Sequence, residues 1–416
     1  MTKHSDQSTT TENSKTKKIH VSGLQVGMYV AKLDVDWLQT PFLYQGFFIE
    51  SIEDIEQLEK YCQYVWVDHT KDQQSRHPSH IPNKSTLSKT KKNYVNKAPM
   101  PQEYSRSYNA FTANRQKIKA LLEEATLGNA IDTDSAKETV QHCLNSVLRN
   151  PNAMLWMSKI RGADEYTSEH CLNVCILAIA FGRHLGKSED ELEELGLCGL
   201  LHDVGKMRVP NQILHKPAKL TPKEWKIMKA HTVHGRNLLM SSENIGQTVE
   251  VAYSHHERVD GKGYPRGLES HQISEYAKII AIVDAYDAMT AERCYSKAIK
   301  PSVAIRHIYN DRGTHFDETL ALQFIKAIGL YPPGCIVELV NGSVGIVLER
   351  HSRFQHLPRV LLVLDQDRKI VENRIIDLSL IEQGELDRSL LIKKDYPDGE
   401  FDIQVRDFQD FILAIA

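Results

Sequence analysis

No apolar stretch of this chain approaches the roughly 20 residues that a membrane-spanning helix needs. The start, MTKHSDQSTT, is polar and has none of the apolar core of a signal peptide. Cysteine is scarce. Seven are scattered over 416 residues with no CxxC pair, which argues against a disulfide framework. Cys171 and Cys175 are four apart but lie in an apolar helical run, where they read as small buried thiols. A reduced, cytoplasmic compartment is the expectation. An excess of either charge is missing as well. Lys and Arg number 51 against 54 Asp and Glu, so there is no general case for affinity to nucleic acid or membrane. No internal repeat is visible. What stands out is histidine, with 19 residues.

The length suggests two or three domains. Residues 1–18 are rich in Ser, Thr and Lys and read as a disordered tail. Residues 19–68 alternate β-branched and aromatic runs with glycine, then carry a helical stretch with Ile52, Ile55, Leu58 and Tyr61 in phase, then YVWVD. This predicts a small N-terminal α+β module with a regulatory role. Residues 69–102 hold prolines, serines and seven Lys/Arg against the single acid Asp72, the pattern of a flexible linker. Residues 103–331 are helical in pattern almost throughout, and Ser188 with Glu191 has capping-box spacing. After Pro332-Pro333 the texture turns to short strands with Asn-Gly and Asp-rich turns, predicting a C-terminal β-rich element over 332–416. The expected fold class is multidomain and mainly α-helical, flanked by these two smaller parts.

The stretch LLHDVGK, residues 200–206, sets His202 beside Asp203 at the end of an apolar run. A buried charge is expensive unless something pairs with it. The same helical region carries His170, His231, His255, His256 and Asp284, each at a helix end or on an otherwise apolar helix. A lone histidine of this kind is usually a hydrogen-bonded core residue. Seven such groups in one helical domain point instead to a common centre, as in bundles that hold two metals with carboxylates and imidazoles. His and Asp ligands without Cys favour iron, manganese, cobalt or nickel over a structural zinc. Neighbours on a helix diverge by about 100°, so His202 and Asp203 can serve different parts of one cluster. A carboxylate can bridge two cations, which would pair the charge of Asp203 with metal.

Residues 255–268, HHERVDGKGYPRGL, form a loop by their glycines and proline, with two ligand types at its entrance and Glu257, Asp260 and Tyr264 beyond. This loop resembles the HD-GYP signature, and LLHDVGK resembles its HD half. The resemblance runs over about 150–325 and includes EHCLNV, HDVGKMRVPNQILHKPAKLT, KAHTVHG and IVDAYDAMTAERCYSKA. GLQVGMYVAKLDVDWLQTPFLYQGFFI is similar to a domain of unknown function often found ahead of HD-GYP domains in bacteria. The resemblance implies a metal-dependent phosphodiesterase that hydrolyses cyclic di-GMP to pGpG and then GMP. It implies that His170, His202, Asp203, His231, His255, His256 and Asp284 ligate two divalent cations, iron or manganese ahead of cobalt or nickel. Asp203 and Lys206 would be catalytic, with Lys206 near the scissile phosphate, and Tyr264, Arg293 and Lys297 would line the nucleotide pocket. Partners implied are cyclic di-GMP, a diguanylate cyclase or other signalling proteins, and a second copy of the chain, but neither nucleic acid nor a membrane span.

Departures from the family pattern are Ser274 and Lys278 where relatives tend to have Pro and Arg, and Cys294 where Pro is usual. Relatives that hold three metals have a glutamate four residues before the first histidine. Here that position is Tyr166, a far weaker ligand near neutral pH, and Glu165 and Glu169 leave the helix on other faces. Two metals are therefore expected. The competing readings are a phosphohydrolase for another cyclic dinucleotide, such as cyclic GMP-AMP, and a catalytically silent receptor for cyclic di-GMP.

Overall fold

The computed structural model of the protein describes residues 16–35, 40, 42, 46–71, 92–160, 166–242, 245–292, 297–351 and 354–415. Most of the expected tail and most of the expected linker lie outside these residues, as do Arg293 and Cys294; the tail was expected to run to residue 18, but the first strand already begins at Lys17. The chain divides into two compact units, residues 1–89 and 90–416.

In the first unit, strands β1 (Lys17–His20), β2 (Tyr29–Leu33), β3 (Phe47–Phe48) and β4 (Tyr64–Val67) form an antiparallel sheet in the order β1-β4-β2-β3. Helix α1 (Ile52–Tyr61) begins with a capping box between Ser51 and Asp54. Its Leu58 joins Val30, Leu33, Val65 and Val67 in the core of this unit. The α+β reading of this stretch matches these elements.

The second unit begins with α2 (Met100–Leu127), α3 (Thr133–Arg149), α4 (Pro151–Met157), α5 (Tyr166–Leu185) and α6 (Glu189–Leu201). A 3-10 segment (Val204–Arg208) leads to α7 (Asn211–Leu214), α8 (Pro222–Lys229), α9 (His231–Leu239) and α10 (Thr248–Ser254). Then come α11 (Glu275–Thr290), α12 (Pro301–Asn310) and α13 (Glu318–Ile328). Helix α5 is the axis of the bundle. Its residues 168–179 are buried without a break, because it is apolar on nearly every face. It packs on α6, α11 and α3. Gly199 lets α6 approach α5 closely, since a Cβ there would lie 2.9 Å from the Cα of Cys175. Ser188 and Glu191 do form the capping box of α6.

Two further boundaries differ from the sequence reading. The linker was expected to run to residue 102, but α2 already starts at Met100. Pro99 and Pro101 looked like loop residues, yet Pro99 caps the helix and Pro101 sits in its first turn, where a missing N–H costs nothing. Residues just before it are also fastened to this unit, with the Lys97 N–H donating to the Arg149 carbonyl at 2.7 Å. The C-terminal β element was expected as a separate part, but it belongs to the same compact unit as the helices. Strands β5 (Ile336–Leu339), β6 (Val344–Glu349), β7 (Arg359–Leu364), β8 (Ile370–Asp377) and β9 (Ile392–Tyr396) form an antiparallel sheet in the order β8-β7-β6-β5-β9. Asp395 of β9 accepts hydrogen bonds from the Ser302 N–H (2.9 Å) and hydroxyl (2.6 Å) at the start of α12. Asn150, which caps α4, donates to Glu349 at 3.2 Å. A final helix, α14 (Gln409–Ala414), packs on α2.

The tightest crossing brings the 3-10 segment onto α9. A Cβ on Gly205 would lie 1.9 Å from the His231 carbonyl oxygen and 2.3 Å from the Gly235 nitrogen. Both obstacles are backbone and cannot step aside. Gly205→Ala is therefore expected to destabilise the protein by about 3 kcal/mol, read as a lowered midpoint of thermal unfolding. An unchanged midpoint would show that the crossing has slack.

Candidate functional site

The seven expected ligands converge. His170 comes from the first turn of α5, and His202 and Asp203 from the end of α6. His231 opens α9, His255 and His256 follow α10, and Asp284 is on α11. Their ligand atoms fall into two groups, Asp203 with His231, His255 and His256, and His170 with His202 and Asp284. Within each group the atoms lie within 4.8 Å of one another. Asp203 joins the groups. Its Oδ2 is 3.5 Å from His170 Nε2 and 3.3 Å from His202 Nε2. Its Oδ1 is 3.4 Å from His231 Nε2 and 3.7 Å from His255 Nε2. Asp284 Oδ1 lies 3.1 Å from His170 Nε2 and 3.9 Å from His202 Nε2.

The far side of each ring fixes its tautomer. Nδ1 of His202 faces the Gly199 carbonyl at 2.8 Å, that of His231 the Met228 carbonyl at 2.7 Å, and that of His255 the Val251 carbonyl at 3.2 Å. A carbonyl oxygen only accepts, so each Nδ1 carries the proton and Nε2 turns its lone pair to the centre. His231 Nε2 and His255 Nε2 then face each other at 3.3 Å. Two lone pairs at that separation repel unless a cation lies between or beside them. His202 Nε2 and Asp203 Oδ1 are buried with no hydrogen bond among the described residues. The donor set and these unsatisfied atoms fit divalent metal ions.

Electrostatics agree. Burial alone would push the Asp203 carboxyl up, but Lys206, His202 and His170 outweigh it and hold it well below the ordinary carboxylate range. Asp284 is held low in the same way by His170, His202 and His256. Burial lowers the His170 imidazole, yet its contacts with Asp203, Asp284 and Asp287 raise it to about 10. Burial, with His255 and Lys206 nearby, pushes His231 down to about 3 despite Asp203.

Sequence reasoning missed Asp287. Its Oδ2 accepts from His170 Nδ1 at 2.7 Å, and Asn173 donates to its other oxygen at 3.3 Å. Its signal was its place three residues after Asp284 on one face of α11. Glu257 was noticed in the loop but given no role. It is buried and accepts the Arg266 N–H at 2.7 Å and the Leu268 N–H at 2.9 Å, folding the loop onto itself. Asp260 is paired with Arg258 at 2.8 Å. Gly263 leaves room for this fold, since its Cβ would meet the Arg258 nitrogen at 2.3 Å.

A cavity of about 1400 Å³ opens over the cluster, with His170, His231, His256, Lys206, Tyr264 and Trp225 among its lining residues. Lys206 pairs with Asp203 through Oδ2. The Tyr264 ring lies 4.8 Å from that of His256, and Trp225 stands 6.3 Å from Tyr264. Lys297 is exposed and does not line the cavity, although Ala298 and Ile299 do. Arg293 lies outside the described residues. Tyr166 opens α5, but its side chain also lies outside them. Glu169 is buried and ion-paired with Arg115. The departures at 274 and 278 fall away from the cavity: Ser274 caps α11, and Lys278 pairs with Asp317 at 3.4 Å.

The chain matches the family described as HD domain over residues 151–320, and the domain of unknown function DUF3391 over residues 16–136. It is 37% identical over 378 residues to the cyclic di-GMP phosphodiesterase PA4108 of Pseudomonas aeruginosa, covering 89% of this chain and 91% of that protein. It is 37% identical over 167 residues to the cyclic di-GMP phosphodiesterase response regulator RpfG of Xanthomonas campestris, 39% of this chain and 44% of that protein. It is 34% identical over 167 residues to 3'3'-cGAMP-specific phosphodiesterase 3 of Vibrio cholerae, 40% of this chain and 36% of that protein. With the first of these matches spanning nearly the whole of both proteins, the chain belongs to the HD-GYP domain cyclic di-GMP phosphodiesterase family, its HD domain preceded by DUF3391.

Proposed function

We propose that this protein is a metal-dependent phosphodiesterase that hydrolyses cyclic di-GMP to pGpG and on to GMP. The observation that carries the reading is the double orientation of Asp203, one oxygen toward each group of imidazoles, beneath a cavity large enough for a dinucleotide. His170, His202 and Asp284 would hold one cation, His231, His255 and His256 the other, and Asp203 would serve both. Iron or manganese suits this donor set first, cobalt or nickel next. When bound, such a pair supplies acidified water and offsets charge on phosphoryl oxygens. Lys206 keeps its proton at Nζ and opposes the negative charge that builds on the phosphate as the bond to the 3′ oxygen breaks. Tyr264 offers a guanine an aromatic face beside His256. The described cysteines are all buried and unbridged, which supports a working place in the reducing cytoplasm. Residues 19–68 would regulate this centre, since every proposed ligand lies in the second unit.

The test is product analysis with purified protein, metal-loaded or chelated, against a panel of cyclic dinucleotides. Cyclic di-GMP should be consumed fastest, and only by the loaded protein. Full activity after chelation would refute metal dependence. Preference for cyclic GMP-AMP would reassign the substrate.

Asp203→Ala and His202→Ala should each cut turnover by about 10³-fold or more, measured as pGpG formed under saturating metal. Retention of a tenth of the activity in either variant would remove that residue from the centre.

Elemental analysis of anaerobically purified protein should find about two metals per chain. Three, with an added carboxylate ligand, would contradict the consequence drawn from Tyr166.

Asp287→Asn should leave the fold intact and weaken metal binding about 10–100-fold, because His170 loses the carboxylate that orients it. Competition with a chelator reads this directly. Wild-type affinity in the variant would confine Asp287 to packing.

A further inference from the structure

At the other end of α5, 13 residues and so about 20 Å from His170, a smaller cavity of about 180 Å³ is lined by Arg183, His184, Arg350, Lys92 and Tyr94. Arg183 donates to Asn96 Oδ1 at 3.0 Å and lies over the Tyr94 ring. Arg350 donates to the Ala327 carbonyl. Neither forms an ion pair with a carboxylate among the described residues, and the Nε of each is buried without a hydrogen bond there. Burial and the nearby Arg183 push the Arg350 guanidinium down to about 10. Two cations facing one small cavity without an anion are a costly arrangement.

The surroundings repeat this bias. Every ionisable side chain on the cavity wall is basic or a tyrosine among the described residues. The wall is closed by the strand of chain entering α2, where the Lys92 N–H donates to the Gly186 carbonyl at 3.0 Å and the Tyr94 hydroxyl to the Lys187 carbonyl at 2.8 Å. Lys92 Nζ is taken by Glu189 at 2.6 Å, so the two guanidinium groups carry the unsatisfied charge. A guanidinium fork matches the oxygen spacing of phosphate. The volume equals roughly six waters at about 30 Å³ each, enough for one phosphate group and too little for a dinucleotide.

We propose that the cavity between Arg183 and Arg350 is a phosphate-binding site distinct from the catalytic centre, taking the free ion or the end of a phosphomonoester. It does not depend on which cyclic dinucleotide the enzyme cleaves.

The test is thermal unfolding of the metal-loaded protein in inorganic phosphate against chloride at equal ionic strength. The catalytic centre can also bind phosphate, so Asp203→Ala serves as control. Wild type and Asp203→Ala should both gain about 2–4 °C at saturating phosphate. Arg183→Gln should lose most of that gain. In chloride alone it should be at least as stable as wild type, because one of two facing cations is gone. Arg350→Gln should behave likewise, but Arg350 also bonds the Ala327 carbonyl, so Arg183→Gln is the decisive variant. A wild-type phosphate response in Arg183→Gln, or a response lost only in Asp203→Ala, would overturn the site. GMP in place of phosphate distinguishes the sources. An Arg183-dependent shift with both assigns a phosphomonoester end, a shift with phosphate alone assigns the free ion, and either outcome upholds the site.

Discussion

One carboxylate buried to 1% exposure, that of Asp203, imposes the demands that the second unit is built to meet. An ionised group in such a place is tolerated only when opposite charge or donors surround it. Here the compensation comes from separate elements. Helix α6 ends at His202, and the change to a 3-10 turn lets His202 and Asp203 diverge. Gly205 allows the backbone of α9 to come within contact of that turn, which brings His231 to Oδ1. Helix α5, buried over residues 168–179, carries His170 to Oδ2 from the opposite side. The packing of the bundle and the geometry of the site are therefore one problem.

The loop from His255 to Leu268 shows a similar division between frame and chemistry. Glu257 spends its charge on two backbone N–H groups of the same loop. Gly263 is required by space, because any side chain there would run into the backbone at 257–258. Only His255, His256 and Tyr264 face outward to the cluster and cavity. A motif of this length is thus mostly scaffold.

What could be read from the sequence follows the range of the interactions involved. Helical periodicity and the capping box of α6 are local, so the bundle was legible from residues three and four apart. The seven candidate ligands were legible because imidazole and carboxylate are conspicuous on apolar helices. Asp287 was not, since its partner His170 lies 117 residues away and its one local signal was its place three residues after Asp284 on α11. The union of the β element with the helices was hidden for the same reason, resting on Ser302 with Asp395, 93 residues apart. Strand β9, IKKDY, lies inside the expected β-rich element, although as an edge strand with two exposed lysines it lacks the apolar alternation of its neighbours.

The two ends of α5 carry opposite problems. Near its start, carboxylates and inward-facing lone pairs crowd a space with too little positive charge. Near its end, two guanidinium groups share a cavity with no negative charge among the described residues that line it. Folded domains hold a net stability of only about 5–15 kcal/mol, so neither imbalance is a small perturbation. A species that binds the folded state and cancels such an imbalance adds its binding free energy to that stability. Cations at one end of α5 and an anion at the other would each do so. On this reasoning such ligands would be part of what holds the central helix in place, and their chemistry can be read from the charges that the fold leaves unbalanced.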